Sequence, residues 1–167
     1  VCQLMTLKKF YLKLKSICCS CYSMLSDYFA VEPKIVELLT PNEGILAVNT
    51  PFSVDDMLQI TNIAPALNVI YVGDRVGDSV GQGRANTVTQ QWLIVLAVRD
   101  ASPRLDQTSN IRKEADPLIR ELLSKMQGFN PQVAGFRSFE RGDAGVQIGS
   151  SSGFAYFPFL FEIKFIN

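Results

Sequence analysis

The segment TVTQQWLIVLAVRD, residues 87–100, decides how the rest of the chain must be arranged. Its centre, residues 92–98, holds seven consecutive apolar side chains, several of them β-branched or aromatic. A strand with one face in water would alternate apolar and polar residues, so this run indicates a strand covered on both faces. A helix is the alternative, but the run is short and has polar residues on both sides. We therefore predict a central strand whose neighbours and cover come from the rest of the chain.

Composition predicts one globular domain and argues against several classes of function. The 167 residues are 47% apolar and 19% charged, which suits a single domain with its own core. The formal net charge is zero, and the residues after 23 carry a small acidic excess. Because phosphate binding needs clustered cations, we expect no nucleic-acid recognition. Histidine, the commonest general base and metal ligand, is absent. No run reaches the ~18 apolar residues of a membrane span, so we expect no membrane partner.

Residues 1–23 differ in composition from the rest of the chain, because they contain four lysines, no acid and every cysteine. A signal peptide is one interpretation, but the lysines lie within the apolar part and no small-residue cleavage site follows. A zinc site is another, but the cysteine spacing is tight and no histidine completes it. We interpret 1–23 as an extension translated from an early start site, followed by a domain at 24–167. The cysteines are Cys2, Cys18, Cys19 and Cys21.

The beginning of the domain predicts a helix and then a short strand. Apolar residues recur at helical spacing up to Thr40. Ser26 or Asp27 could cap this helix, but proline is natural in a first turn, so Pro33 moves the expected start toward Val31 or Glu32. A short strand is predicted at 45–48.

A second, shorter helix is expected after Ser53. Asp56 stands at the reciprocal capping position, and Asp55 lies near the positive end of the helix. We interpret these two acids as capping residues and not as a metal or acid–base pair, because no third carboxylate lies near in sequence. Residues 65–72 predict the next strand, with a proline at its start.

Residues 73–86, GDRVGDSVGQGRAN, are the least regular passage. Gly81 and Gly83 suggest a dinucleotide-binding loop, but the third glycine is missing and a strand follows instead of a helix. A calcium loop is also excluded, because the acids stand four residues apart. We predict a long mobile connection between two paired strands that makes contacts during assembly. Its mixed charge suits a complementary protein surface. The candidate contact residues are Asp74, Arg75, Asp78, Gln82 and Arg84.

The remainder predicts one long helix and a return to β-structure. Apolar residues form a single stripe from Ile111 to Met126, interrupted by Pro117, and Gly128 suits a left-handed cap. A turn is predicted at 141–143, a short pairing segment at 146–148 and a flexible link at 149–153. Residues 154–165 form the last strand, in which Pro158 predicts an edge position or a bulge.

The order of these pieces resembles the tail terminator proteins of long-tailed phages, especially those of Mu-like and related prophages. The resemblance covers about residues 24–167. It rests on the opening MLSDYFAVEPKIVELL, on PALNVIYVGD, on WLIVLAVRD, on LLSKMQGFNP and on the closing FAYFPFLFEIKF. The GFNP turn is similar to the family's Gly-Trp-x-Pro, with Phe129 in place of tryptophan.

The resemblance implies a structural protein without enzymatic activity or cofactor. Members of the family form a ring, usually of six subunits, on the last disc of the tail tube, where the ring stops tube polymerisation and presents a surface to the head connector. The expected partners are other copies of the chain, the tube protein and the connector. The expected location is the head-proximal end of the tail, assembled in the bacterial cytoplasm.

The fold expected from the residues agrees with this family: a single α+β domain with a mixed or mainly antiparallel sheet and helices packed on it. Two alternatives stay open. One is another head–tail joining protein or a tube subunit. The other is a small enzyme or nucleotide-binding domain built around Gly73–Gly83.

Overall fold

The computed structural model describes residues 27–40, 43–99, 108–145, 147, 149–151 and 153–166. The predicted extension at 1–23 lies outside the described residues, as does most of the segment 146–148 that was expected to pair.

Three helices and six strands form the described part of the domain. In chain order they are α1 (Glu32–Leu39), β1 (Ala47–Asn49), α2 (Val54–Ile60), β2 (Ala66–Val80), β3 (Ala85–Arg99), α3 (Thr108–Met126), β4 (Glu140–Gly142), β5 (Gly149–Ser151) and β6 (Phe154–Ile166). The strands make one sheet in the order β1-β2-β3-β6-β4, and β5 also pairs with β6. β1 and β2 are parallel and the other pairs are antiparallel. The predicted α+β class with a mixed, mainly antiparallel sheet is confirmed.

The central strand lies where the apolar run predicted it. β3 is hydrogen-bonded to β2 on one side and to β6 on the other. All of residues 92–98 are buried. Successive side chains of a strand point to opposite faces, and here the even-numbered and odd-numbered residues enter two separate core clusters. We call the side of Trp92, Ile94 and Leu96 the first face of the sheet, and the side of Leu93 and Val95 the second face.

The two faces are covered unequally. Ile35 of α1 and Leu122 and Met126 of α3 are fully buried in the large cluster on the first face. On the second face, α2 contributes one buried side chain, Met57, to a much smaller cluster. Burying each large apolar side chain stabilises the fold by roughly 1.5–3 kcal/mol, so the first face holds most of the stabilising core. The second face is left partly uncovered.

Local sequence signals set the ends of the helices as expected. Pro33 lies in the first turn of α1, where its missing N–H costs no helical hydrogen bond. Ser53 caps α2, because its side chain accepts a hydrogen bond from the Asp56 N–H at 3.1 Å. Pro117 lies within α3, and Gly128 follows that helix with a φ of 74°, the left-handed conformation that suits glycine.

Three expectations for connecting segments and one for Pro158 need correction. Most of residues 73–86 is not a mobile loop, because β2 and β3 continue through it to a four-residue turn. Residues 149–151 of the predicted flexible link form β5, and 140–142 form β4 where a turn was expected to begin. Pro158 causes no bulge against β3, since β3 and β6 stay in register throughout.

The edge position predicted for the last strand is wrong, and Pro158 is accommodated at a gap in the pairing instead. β6 is an inner strand, because β4 and β5 pair with its far side. Those pairs involve residues 160–162 and 154–156, so Pro158 faces the gap between them. Proline has no N–H to donate, so at this gap it leaves no hydrogen bond of the sheet unmade.

Candidate assembly surface

β2 and β3 form a hairpin that projects beyond the sheet. The last pair between β3 and β6 joins Thr87 to Ile166, whereas β2 and β3 stay paired up to Val80 and Ala85. Gln82 has a φ of 60°, between two glycines that also have positive φ. Glycine on both sides lowers the strain of that left-handed turn. The projecting part therefore has a built conformation and can present side chains at fixed positions.

Two irregularities bend the outer strand of this hairpin. The register between β2 and β3 shifts between Tyr71 and Gly73 and again between Val76 and Ser79. The first shift leaves Val72 as an extra residue, 56% exposed. Bulges increase local twist and interrupt a strand's pairing edge, so the outer edge of β2 is a poor template for another strand.

On the first face, Asp74 is bound to the N-terminal turn that precedes α1. Asp74 pairs in register with Gln90, and its carboxylate accepts a hydrogen bond from the Tyr28 hydroxyl. The Gln90 side chain donates to the Tyr28 carbonyl at 2.7 Å and accepts from the Trp92 indole N–H at 3.2 Å. Partial burial and the hydrogen bond to Asp74 raise the pKa of Tyr28, so the hydroxyl keeps its proton and remains a donor. The Tyr28 ring also packs edge-on against Phe165, with centroids 5.4 Å apart.

On the second face, the next residue of the hairpin is bound to the sheet. The Arg75 guanidinium forms an ion pair with Glu162 of β6. The same Glu162 oxygen accepts from the Gln91 side chain at 2.9 Å, and Lys164 pairs with Glu140 at 3.3 Å. Polar side chains thus continue the second face beyond its small apolar cluster.

The tip of the hairpin makes no such contacts within the part of the chain that the structure describes. Asp78, Gln82 and Arg84 are exposed, and none of their side chains forms a hydrogen bond or ion pair with another described residue. The five candidate contact residues therefore divide into two groups. Asp74 and Arg75 are engaged within the chain, whereas the three tip residues have no such partner among the described residues.

A second exposed region was missed by the sequence analysis. Phe52 is 92% exposed just before α2, and Val54 and Leu58 on that helix are 40% and 37% exposed. An open groove of about 850 Å³ joins Phe52 and Val54 to Val72 along the edge of β2. A smaller groove of about 230 Å³ continues past Val54 and Leu58. We call Phe52, Val54, Leu58 and Val72 the apolar surface.

Periodicity alone could not reveal this surface. One helical face carries Val54, Met57 and Leu58. The same spacing occurs in a helix that packs this face on a core and in one that leaves it exposed for binding another protein. Of the three, only Met57 is buried. Clustered exposed apolar side chains on a folded domain mark protein contacts.

The described residues offer little to a metal ion or a nucleotide. They contain no group of three potential metal-ligating His, Cys, Asp or Glu side chains. Gly73 and Gly77 lie within a strand, and Gly81 and Gly83 lie in the hairpin turn. A phosphate cradle of the dinucleotide type joins a strand to a helix N-terminus, which is not their setting. No helix in the described ranges is both long and apolar enough to cross a membrane.

Comparison with known proteins identifies one family. The family model described as phage tail terminator protein matches residues 24–167, which is most of the chain and includes the hairpin and the apolar surface. A search of curated proteins found no significant match.

Proposed function

Because the chain belongs to the phage tail terminator family, we propose that it forms a ring on the last disc of the tail tube, stops tube polymerisation and presents a surface to the head connector. Membership makes the chain a virion tail component of a structural family, one that interacts with other phage tail or head proteins. What we propose beyond membership is the ring itself, its binding to the tube protein and the connector, and its position at the head-proximal end of the tail. We place its assembly in the bacterial cytoplasm, without a cofactor.

The observation that supports this function is the pair of unlike exposed regions on one domain. The polar hairpin tip and the apolar surface share no residue, and β2 links them. A closed ring of identical subunits is built from heterologous contacts, in which one region of a subunit meets a different region of its neighbour. Tube binding and connector binding need further surface on the two sides of such a ring. We propose six copies, the number usual in the family.

The hairpin tip is proposed as a contact made during tail assembly. Its charges are mixed, with Asp78 and Arg84 exposed a few residues apart. A surface with charges of both signs binds phosphate poorly. It can pair with a complementary protein surface, and that pairing fixes how the two proteins dock. The paired backbone of the hairpin limits the conformational entropy that docking would remove.

Shortening the hairpin tests this role. Val76 and Val88 are direct partners across the two strands, so Asn-Gly can replace residues 77–87 as a two-residue turn between them. The shortened protein should fold, because the core pairs of residues 66–71 and 92–97 are untouched. Tails made with it should have uncontrolled length or fail to join heads in electron micrographs of induced particles.

A matched variant separates tip chemistry from hairpin length. Asp78→Ser, Gln82→Ser and Arg84→Ser together keep the backbone pairs and remove the two charges and the amide of the tip. We expect the same tail defect in weaker form. Normal tail length and normal head attachment with the shortened protein, shown to be folded by circular dichroism, would remove the hairpin from the mechanism.

A tail-tube subunit is the nearest alternative function, and its assembly behaviour differs. Tube subunits stack without limit, whereas a terminator ring closes and stops. The mass of the purified protein in solution, alone and with its tube protein, distinguishes the two. A discrete ring that binds tube ends supports the proposal, and open-ended filaments of the chain alone contradict it.

A further inference from the structure

We propose that Asp74 and Arg75 are positioning residues, which hold the base of the hairpin to the body of the domain and leave partner contact to Asp78, Gln82 and Arg84. This inference rests on the proposed function of the hairpin and divides its residues into two roles. In the sequence, the four charged residues of this set could not be assigned to different roles.

The geometry for positioning comes from strand alternation. Asp74 and Arg75 are consecutive residues of β2, so their side chains leave opposite faces of the sheet. Asp74 reaches Tyr28 on the first face, and Arg75 reaches Glu162 on the second. Two contacts on opposite faces oppose rotation of the hairpin in either direction, which neither contact could do alone.

The place of these contacts along the hairpin supports the same division. The bulge at Val72 interrupts the ladder just before Asp74, and a second irregularity follows Val76. Irregular ladders twist and yield more readily than regular ones. Asp74 and Arg75 lie between the two irregularities of the β2–β3 ladder. Side-chain contacts at this place can stiffen the hairpin where its backbone pairing is interrupted.

The partners of both residues are themselves well anchored. The Tyr28 carbonyl is bound by the buried Gln90, and the Tyr28 ring packs against Phe165. Glu162 is only 18% exposed and is also held by Gln91. Tyr28 and Glu162 are held in the body of the domain by these other contacts. Their contacts with Asp74 and Arg75 therefore determine the position of the hairpin.

The test compares substitutions on the two sides of the same contacts. The body-side variant Tyr28→Phe with Glu162→Gln removes the hydroxyl and the negative charge but leaves every hairpin side chain intact. The amide oxygen that this variant carries at position 162 can still accept from Gln91. The hairpin-side variant Asp74→Ala with Arg75→Gln removes the same contacts from the other end. Arg84→Gln, at the tip, is the control for loss of a charge that pairs with no other described residue.

Hydrogen exchange of the purified proteins measures how firmly the hairpin is held. Partly exposed contacts of this kind each change an equilibrium by a factor of about 2–5, so losing both should speed exchange of residues 73–90 roughly 4- to 25-fold. We expect this in the body-side and hairpin-side variants alike, and no change in Arg84→Gln. Tail length and head attachment, scored by electron microscopy, should be impaired by all three.

The outcomes separate the two roles. A tail defect in the hairpin-side variant with normal tails in the body-side variant would show that Asp74 or Arg75 touches a partner, and would overturn the inference. Unchanged exchange in both double variants would overturn it as well. If exchange rises as expected but all variants, including the shortened hairpin, assemble normal tails, positioning stands and the proposed function of the hairpin fails.

Discussion

Trp92→Ala tests the central strand on which the architecture depends. Trp92 is the single tryptophan of the chain, lies on β3 and is 1% exposed. Its ring contacts Tyr71, with centroids 5.3 Å apart, and its indole N–H donates to the side chain of Gln90. The substitution therefore removes a large apolar volume, an aromatic contact and a buried hydrogen bond together.

These contacts determine the expected magnitude. Truncating a buried tryptophan to alanine costs about 3–5 kcal/mol through lost transfer free energy and the cavity left behind. Gln90 is completely buried, so its side-chain oxygen would lose its indole donor with no access to water, which adds to the cost. We expect the free energy of unfolding to fall by about 4–5 kcal/mol. This is a large share of the roughly 5–15 kcal/mol that stabilises a typical domain.

Two companion substitutions identify the sources of the loss. Trp92→Phe keeps most of the apolar ring and removes the N–H, so it should cost less, about 1–3 kcal/mol. Arg112→Ala, on the exposed side of α3, should change the free energy of unfolding by no more than about 0.5 kcal/mol.

Urea denaturation followed by far-UV circular dichroism measures all three variants. Tryptophan fluorescence is unsuitable, because two of the substitutions remove the only fluorophore of that type. A loss below ~1 kcal/mol for Trp92→Ala would mean that the side chain is not packed between β3 and the helices. The assignment of residues 92–98 as a strand buried on both faces would then be wrong.

Two further predictions concern the apolar surface and the N-terminal segment. Phe52→Ser should leave the free energy of unfolding within about 0.5 kcal/mol of the parent, because the side chain is 92% exposed, yet weaken self-association roughly tenfold or more in analytical ultracentrifugation. Unchanged self-association would exclude Phe52 from the subunit contact. Deleting residues 1–23 should leave the thermal midpoint within a few degrees of the full chain. A fall of ~10 °C or more would show that the segment stabilises the domain, since about 1 kcal/mol moves a domain of this size by roughly 2–5 °C.

The five candidate contact residues show how far residue type can predict a role. Glycines and mixed charges marked residues 73–86 as a region that does not belong to the core. These features could not distinguish Asp74 and Arg75 from Asp78 and Arg84. The sequence shows that a side chain is charged, but it does not show whether the fold brings an oppositely charged or hydrogen-bonding group next to it. Tyr28 and Glu162, which bind the first two, lie 46 and 87 residues away in sequence.

The sequence by itself determined the elements whose cause is local. The apolar run at 92–98 required cover on both faces, Ser53 and Pro33 set helix starts, and Gly128 followed a helix end. Hydrophobic periodicity and capping depend on neighbours within one or two turns, so a single sequence contains them.

Tertiary structure alone decided how far the strands extend and which faces stay open. Glycine and aspartate disfavour strands, yet β2 continues through residues 73–80 and β3 begins at residue 85, because pairing in the core extends residue by residue along the two strands. The same holds for β5, which pairs with β6 despite its glycine and serines. Whether α2 buries its apolar stripe depends on what packs against it, and here Met57 is covered while Val54 and Leu58 remain exposed. The burial of a side chain depends on residues that are distant in the chain, so only the folded structure shows it.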